Sequence, residues 1–205
     1  MVAPRLLLAC SIVAVAASSQ AIAQENYIKL YGGAAYVAPL SESDITFESV
    51  SDAVQAQQQV GWNFGFEGRF NDWFGLEIDY VNATQDVDFG GMDIGSTDFS
   101  PLTATLNIHV VHTTLVDFYL GPSYSYVSWG DIELNQEGQG LFSTTGLGTD
   151  SQNAWGVSLG LDIGLGKHFA FTGGLRYIDT DLELANGPSI AVNPLVGRLG
   201  IALRF

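Results

Sequence analysis

Apolar and polar residues alternate with a period of two along most of the chain. Over 60–70 the even positions are Val60, Trp62, Phe64, Phe66, Gly68 and Phe70, and the odd ones are Gly61, Asn63, Gly65, Glu67 and Arg69. Over 155–165, Trp155, Val157, Leu159, Leu161, Ile163 and Leu165 alternate with Gly156, Ser158, Gly160, Asp162 and Gly164. Successive side chains of an extended strand point to opposite faces, so this period predicts strands. Segments 27–37, 73–84, 101–111, 116–127, 168–179 and 192–205 follow the rule less strictly. Together these segments predict eight strands of about 11 residues, close to the roughly 9–11 that cross a bilayer on a tilt.

Bulky apolar residues fall on one face of these strands, and Gly, Ser, Thr, Asn and a few charges on the other. In a transmembrane barrel the bulky face meets lipid and the small polar face lines a narrow lumen. A soluble up-and-down barrel would show the same alternation with its faces exchanged. Its outward positions would then be charged, whereas the polar face here is mostly Gly, Ser and Thr. Connection lengths favour the membrane. Those near Asn71-Asp72, at 112–114 and at 164–167 are short, and those at about 38–57, 85–100, 130–153 and 180–191 are long. Short periplasmic turns alternating with long external loops suit such a barrel, whose closure leaves no strand edge in lipid. The fold class is therefore all-β: an eight-stranded antiparallel transmembrane β-barrel over residues 24–205. Pro122 falls in the middle of the fifth strand and cannot donate to the ladder, which predicts a bulge or a local break in pairing.

Composition and the N-terminus sharpen this picture. Of the 205 residues, 47% are apolar and only 14% charged, well under the roughly 25% charged of a soluble domain. Beyond the N-terminus no apolar run approaches the ~20 residues of a spanning helix, which excludes a helical membrane bundle. Residues 1–5 carry one positive charge, 6–17 (LLLACSIVAVAA) are apolar, and Ala21-Ile22-Ala23 supplies a small-x-small site. This predicts a Sec-type signal peptide over 1–23 and a mature chain that starts at Gln24. Leu7-Leu8-Ala9-Cys10 faintly resembles a lipoprotein cleavage box, but it leaves only a short apolar stretch ahead of Cys10. Cleavage after Ala23 removes the single Cys, and with it any thiol or disulfide chemistry. An exported barrel belongs in the outer membrane of a Gram-negative-type bacterium.

Charge sorts by location. The 22 acids outnumber the 7 Lys and Arg, and the net charge of −15 argues against a nucleic-acid partner. Strand parity turns Lys29, Arg69, Arg176, Arg198 and Arg204 inward, together with Glu67, Glu77, Asp79, Asp117 and Asp162. An eight-stranded barrel has an interior that side chains just fill, and buried charges need partners, so this set predicts a lumen crossed by ion pairs. The same residues lining a gated conduit are the alternative. In that case Arg198→Ala raises solute passage instead of only lowering stability. The external segments hold fifteen acids and no Lys or Arg. Asp179, Asp181 and Glu183 continue the outward parity beyond Tyr177, and Asp86 and Asp88 do so beyond Tyr80. Tyrosines at the interface put these carboxylates at head-group level. There they form either a solvated acidic rim or a site for Ca²⁺ or Mg²⁺ shared with lipopolysaccharide phosphates.

No catalytic constellation is apparent, and no other cofactor is expected. His109 and His112 flank the short turn between the fourth and fifth strands, and His168 follows Lys167. All three fall at the periplasmic end, away from any Ser-rich loop. A nucleophile needs a base at hydrogen-bond distance, and none is indicated.

Several stretches resemble the outer-membrane protein W (OmpW) family. Phe99-Ser100-Pro101-Leu102-Thr103-Ala104-Thr105-Leu106 resembles its fourth strand, and DFYLGPSYSY over 117–126 the fifth. Ala154-Trp155-Gly156 resembles the entry to strand six, and RYIDTD over 176–181 the end of strand seven. The close, from Asn193-Pro194 to Leu203-Arg204-Phe205, resembles its final strand. The resemblance implies an eight-stranded barrel that passes or binds small hydrophobic molecules, although the external loops here are more acidic than the family's. Leu199, Ile201, Leu203 and Phe205 share one face and resemble the terminal signal read by the barrel-assembly machinery. Two functions follow as expectations. One is a narrow channel or binder for small hydrophobic solutes, with Leu141-Phe142 and residues 45–47 as apolar loop contacts. The other is a non-conducting structural or adhesive barrel that presents an acidic, cation-binding surface to lipopolysaccharide or a partner.

Overall fold

A computed structural model describes residues 28–40, 43–47, 50–89, 91–142, 146–184 and 189–205. The expected signal peptide, 1–23, lies outside the described residues. In chain order the elements begin with β1 (Ile28–Ala38), the hairpin β2 (Ser43–Phe47) and β3 (Val50–Ala56), and β4 (Gln59–Arg69). β5 (Phe74–Phe89), β6 (Met92–His112) and β7 (Val116–Trp129) follow, then β8 (Ile132–Leu134) and the helix α1 (Gln136–Phe142). The remainder is β9 (Gly146–Leu147), β10 (Thr149–Asp150), β11 (Gln152–Gly164), β12 (Phe169–Asp179), β13 (Asp181–Leu184), β14 (Ser189–Ala191) and β15 (Leu195–Arg204).

Eight of the strands close on themselves in the order β1-β4-β5-β6-β7-β11-β12-β15, all antiparallel. β15 completes the ring against β1, with Lys29 opposite Arg204 and Ala38 opposite Leu195. The ring is latched by a hydrogen bond from Phe205 N to the Ile28 carbonyl at 3.0 Å. At the end of the barrel where Ile28 and Phe205 lie, polar side chains cap two of the tight turns. Asn71 Oδ1 accepts from the backbone of Trp73 and Phe74, both at 2.8 Å, and Thr113 Oγ1 accepts from Val116 N at 2.9 Å. At the other end Asn135 caps α1, its Oδ1 accepting from Glu137 N and Gly138 N.

The segment expected as a loop at 85–100 is instead the outer part of the β5–β6 hairpin, which turns only after Phe89. The other long connections carry β2–β3, then β8 to β10 with α1, and then β13–β14. The alternation in β5 explains the difference. Leu76, Ile78 and Tyr80 face outward over Glu77 and Asp79, as lipid requires. Beyond Tyr80 the faces exchange: Asn82, Thr84, Asp86 and Asp88 point out, while Val81, Ala83 and Val87 are buried inside. The strand continues straight through the membrane surface, and the apolar face switches side because the outer solvent changes from lipid to water. β6 switches between Leu102 and Ser100, and β7 between Tyr126 and Ser128. Aromatic rings crowd the lipid side near this boundary, Tyr124 against Trp155 at 4.8 Å and Trp62 against Tyr80 at 5.6 Å.

Pro122 interrupts pairing as expected, but without a bulge. Its ladder with β11 is unbroken, whereas toward β6 the register passes from Thr105↔Ser123 to Ile108↔Leu120 with two pairs missing and no slip. One absent N–H accounts for both missing pairs and leaves the Leu106 carbonyl without its ladder donor. Pro101 does the same on the other edge of β6. Pairing with β5 stops at Tyr80↔Leu102 and resumes at Ala83↔Phe99. True register shifts occur elsewhere, between His109 and Val111 on β6 and between Val87 and Asp88 on β5.

Candidate functional site: the barrel interior

The interior has two storeys. In the lower one, nearer the short turns, the inward charges form a connected network. Lys29 Nζ lies 2.6 Å from Glu67 Oε2 and 3.0 Å from Asp162 Oδ2, with the Tyr119 ring 4.4 Å beneath it. Arg204 joins Asp162 at 3.4 Å, and Arg69 joins Asp117 at 3.3 Å. Arg176 reaches across from β12 to Asp79 and to Glu77 Oε1 (3.0 Å), and also donates to Thr105 Oγ1 and Ser158 Oγ. Arg198 Nη1 contacts the same two carboxylates at 2.9 and 3.0 Å and donates to Tyr31 OH. All ten charged residues singled out in the sequence are buried here.

His109 also belongs to this network, which corrects its expected place beside a turn. β6 runs on to His112, and parity turns 109 inward with Thr105 and Asn107. Its Nε2 lies 2.7 Å from Glu67 Oε1 and its Nδ1 2.8 Å from Asp117 Oδ1. Carboxylates only accept, so both ring nitrogens act as donors. His109 thereby links the Lys29–Glu67 group to the Arg69–Asp117 pair. Tyr31, Tyr119, Asn107 and Ser158 were likewise not singled out from the sequence. Their signal was the inward parity they share with the charges. His112 instead meets Trp73 edge-on at 5.0 Å, and His168 Nδ1 approaches the Arg204 carbonyl at 3.1 Å.

Space for this network comes from glycines paired opposite the large side chains on neighbouring strands. A Cβ on Gly160 would stand 2.3 Å from the Tyr119 ring, and one on Gly65 would stand 2.6 Å from that of Tyr31. What remains among Tyr31, Asn63, Tyr119, Thr172 and Arg198 is a cavity of about 10 Å³. That is one water's worth at most.

The upper storey is apolar. Val37, Val81, Phe99, Val127, Trp129 and Val196 are among the buried residues that fill it, and β8 with α1 packs over it through Ile132 and Leu134. The wall beside this chamber carries the interruption at Pro101. There the Val81 carbonyl lacks its ladder donor, and on the outer face Asn82 Nδ2 donates to Ser100 Oγ at 2.9 Å across the gap.

The acidic rim, read from the sequence as either solvated or cation-binding, is split. Asp86 and Asp88 lie on β5, and Asp179 and Asp181 lie on β12 and β13. β5 and β12 are four strands apart in a ring of eight, on opposite walls. Asp86 already accepts from Gln59 Nε2 at 2.6 Å, and Asp88 from Gln57 Nε2 at 2.7 Å. Among the described residues no group of three His, Cys, Asp or Glu side chains is placed to hold a metal. The side chains of Glu183, Leu141, Phe142 and residues 45–47 lie outside the described residues. Leu199, Ile201 and Leu203 face outward on β15, and Phe205, just past its end, is exposed as well.

The chain matches the family model of the outer membrane protein beta-barrel domain over residues 6–203. No curated protein matches its sequence. Among solved structures, the outer membrane protein OprG from Pseudomonas aeruginosa superposes with a TM-score of 0.78 at 20% identity, covering 91% of this chain and 98% of that one. The outer membrane protein AlkL in lipid bilayers gives 0.58 at 15% identity, covering 92% and 93%. Ail, the attachment invasion locus protein of Yersinia pestis, gives 0.53 at 16% identity, covering 89% and 100%. At these identities the likeness is one of fold. A closed ring of eight strands with a lipid-facing apolar band, matched by that family model along nearly its whole length, makes this chain a member of the outer membrane protein beta-barrel domain family, a barrel of the Gram-negative outer membrane.

Proposed function

We propose that the barrel is a narrow conduit that takes small hydrophobic molecules into its upper chamber and releases them sideways into the membrane. The ion network closes the axial route, because a solute passing down the axis would have to separate buried ion pairs. The observation that carries the reading is the interruption at Pro101. It places the weakest backbone pairing of the β5–β6 wall beside an apolar interior, at the height where the outer face turns from water to lipid. An apolar solute leaving there stays out of water throughout.

Pro101→Thr restores an N–H for the Val81 carbonyl, worth about 1 kcal/mol net, and keeps a small inward side chain. Uptake of a hydrophobic dye such as N-phenylnaphthylamine by vesicles carrying the mature barrel is expected to fall several-fold, while unfolding in urea shifts to equal or higher concentration. Unchanged uptake in a folded Pro101→Thr barrel would remove the lateral route.

One observation favours the second reading, a non-conducting barrel acting through its surface. The water-exposed outer wall presents Asp86, Asp88, Asp98 and Asp179 without a Lys or Arg in any external segment. If vesicles with the parent barrel take up no more dye than empty ones, that reading replaces the first.

A further inference from the structure

In the upper storey β5 breaks its own inward apolar pattern at one position. Above the membrane surface the inward residues of β5 are Val81, Ala83, Gln85 and Val87. Gln85 is fully buried, and neither its Nε2 nor its Oε1 has a hydrogen-bond partner. The residue opposite it, Thr97, does not serve it, because the Thr97 hydroxyl donates to the Gly130 carbonyl. Two strands away the Trp129 indole packs against Phe99 at 4.8 Å, and its Nε1, also buried, has no partner either. Buried side-chain amides and indole N–H groups nearly always find partners, since an unmade bond leaves the group's desolvation uncompensated. A position that violates both the local pattern of β5 and this rule, among mainly apolar side chains, marks a functional site.

Building on the conduit reading, we infer that Gln85 and Trp129 form the polar end of a binding site for a small, mainly apolar molecule bearing one uncharged oxygen, a ketone, ester or alcohol. Trp129 Nε1–H only donates, and the Gln85 amide both donates and accepts. A carbonyl oxygen accepts from either group, and a hydroxyl can also donate to Gln85 Oε1. The hydrocarbon body lies against Phe99 and the neighbouring valines. Charged solutes are disfavoured because the described charges of the interior sit in the lower storey, already paired with one another. The two groups flank β6, the strand whose pairing is interrupted at Pro101, so the anchor sits beside the proposed exit.

The indole N–H of Trp129 gives a direct readout. Trp62, Trp73 and Trp155 are 49%, 54% and 69% exposed on the lipid side, whereas Trp129 is 5% exposed. In ¹⁵N-labelled barrel in nanodiscs, with the Trp129 signal assigned by Trp129→Phe, titration with 2-nonanone is expected to move that resonance downfield. Nonane, of matched length, should perturb the methyl groups of Val81 and Val127 without the downfield shift. Gln85→Leu fills the same volume without an amide. It should weaken ketone binding at least several-fold, leave nonane binding unchanged and fold at least as well as the parent. A Gln85→Leu barrel with the parent's preference for ketone over alkane overturns the assignment, as does entry of both probes with no ketone-specific shift. In those outcomes the conduit survives. If neither probe perturbs the interior, the conduit and the anchor both fall.

Discussion

Replacing Arg176 by Leu is expected to lower the stability of the barrel by about 3–5 kcal/mol, the range for removing one partner of a buried ion pair. The guanidinium is fully buried and donates to Asp79, Glu77, Thr105 and Ser158, so four polar groups on β5, β6 and β11 lose a partner together. Arg198 still faces Glu77 and Asp79, but through a single nitrogen, Nη1, and its Nε is unpaired. Arg176→Lys keeps the charge and forfeits the planar fork, and should fall between parent and Leu. Arg204→Leu should cost clearly less than Arg176→Leu, because Arg204 meets Asp162 at 3.4 Å while Lys29 holds the same oxygen at 3.0 Å. Urea titration of the barrel in vesicles, followed by its heat-modifiable gel mobility, measures the order. Equal midpoints for Arg176→Leu and the parent would mean that water reaches Glu77 and Asp79.

Gly160→Val is expected to be at least as damaging by the opposite route. The new Cβ falls 2.3 Å from the Tyr119 ring. That ring is held in place, since Lys29 Nζ lies over it and its hydroxyl sits between Lys29 and Asp162. Overpacking alone costs about 1–3 kcal/mol, and displacing Tyr119 loosens Lys29 as well. The measurement is the folded fraction after refolding into detergent, with Gly173→Ala as the control. Its added Cβ meets its nearest atoms at 3.6 Å, an ordinary contact, and should change little. Gly160→Ala combined with Tyr119→Leu should recover folding lost in Gly160→Ala alone. Failure of that rescue would assign the clash to the backbone and not to the ring.

Much of the fold was legible because lipid imposes a strict rule on one face of every spanning strand. The segment read at 60–70 lies on β4 at Gln59–Arg69, and 168–179 lies on β12 at Phe169–Asp179. The rule failed at 85–100 for a definite reason. It identified strands by bulky outward residues, and above Tyr80 the outward residues of β5 are Asn82, Thr84, Asp86 and Asp88. The same exchange of faces hid the apolar upper storey, since Val81 stood where a polar lumen was expected and Val87 and Phe99 stood in a segment read as an external loop. His109 was misplaced by a shorter error. Setting the turn at 112–114 made it look terminal, although its parity already matched Thr105 and Asn107.

Parity is a local property, and the sequence by itself determined everything parity decides: eight crossings, which residues face lipid, and that five cations and five acids share the interior. It also located the interruption at Pro122, whereas the one at Pro101 emerged only from the register of β5 against β6. Which charge meets which was decided only by closure. Arg176 and Glu77 are 99 positions apart and become partners because β12 and β5 stand on opposite walls of a ring narrow enough for one side chain to span. The same ring width that joins those charges across the lower lumen keeps Asp86 and Asp179 apart on its outer surface. The unpaired amide of Gln85 likewise emerges only in three dimensions, because whether a buried polar group is satisfied depends on what the opposite strands bring to it.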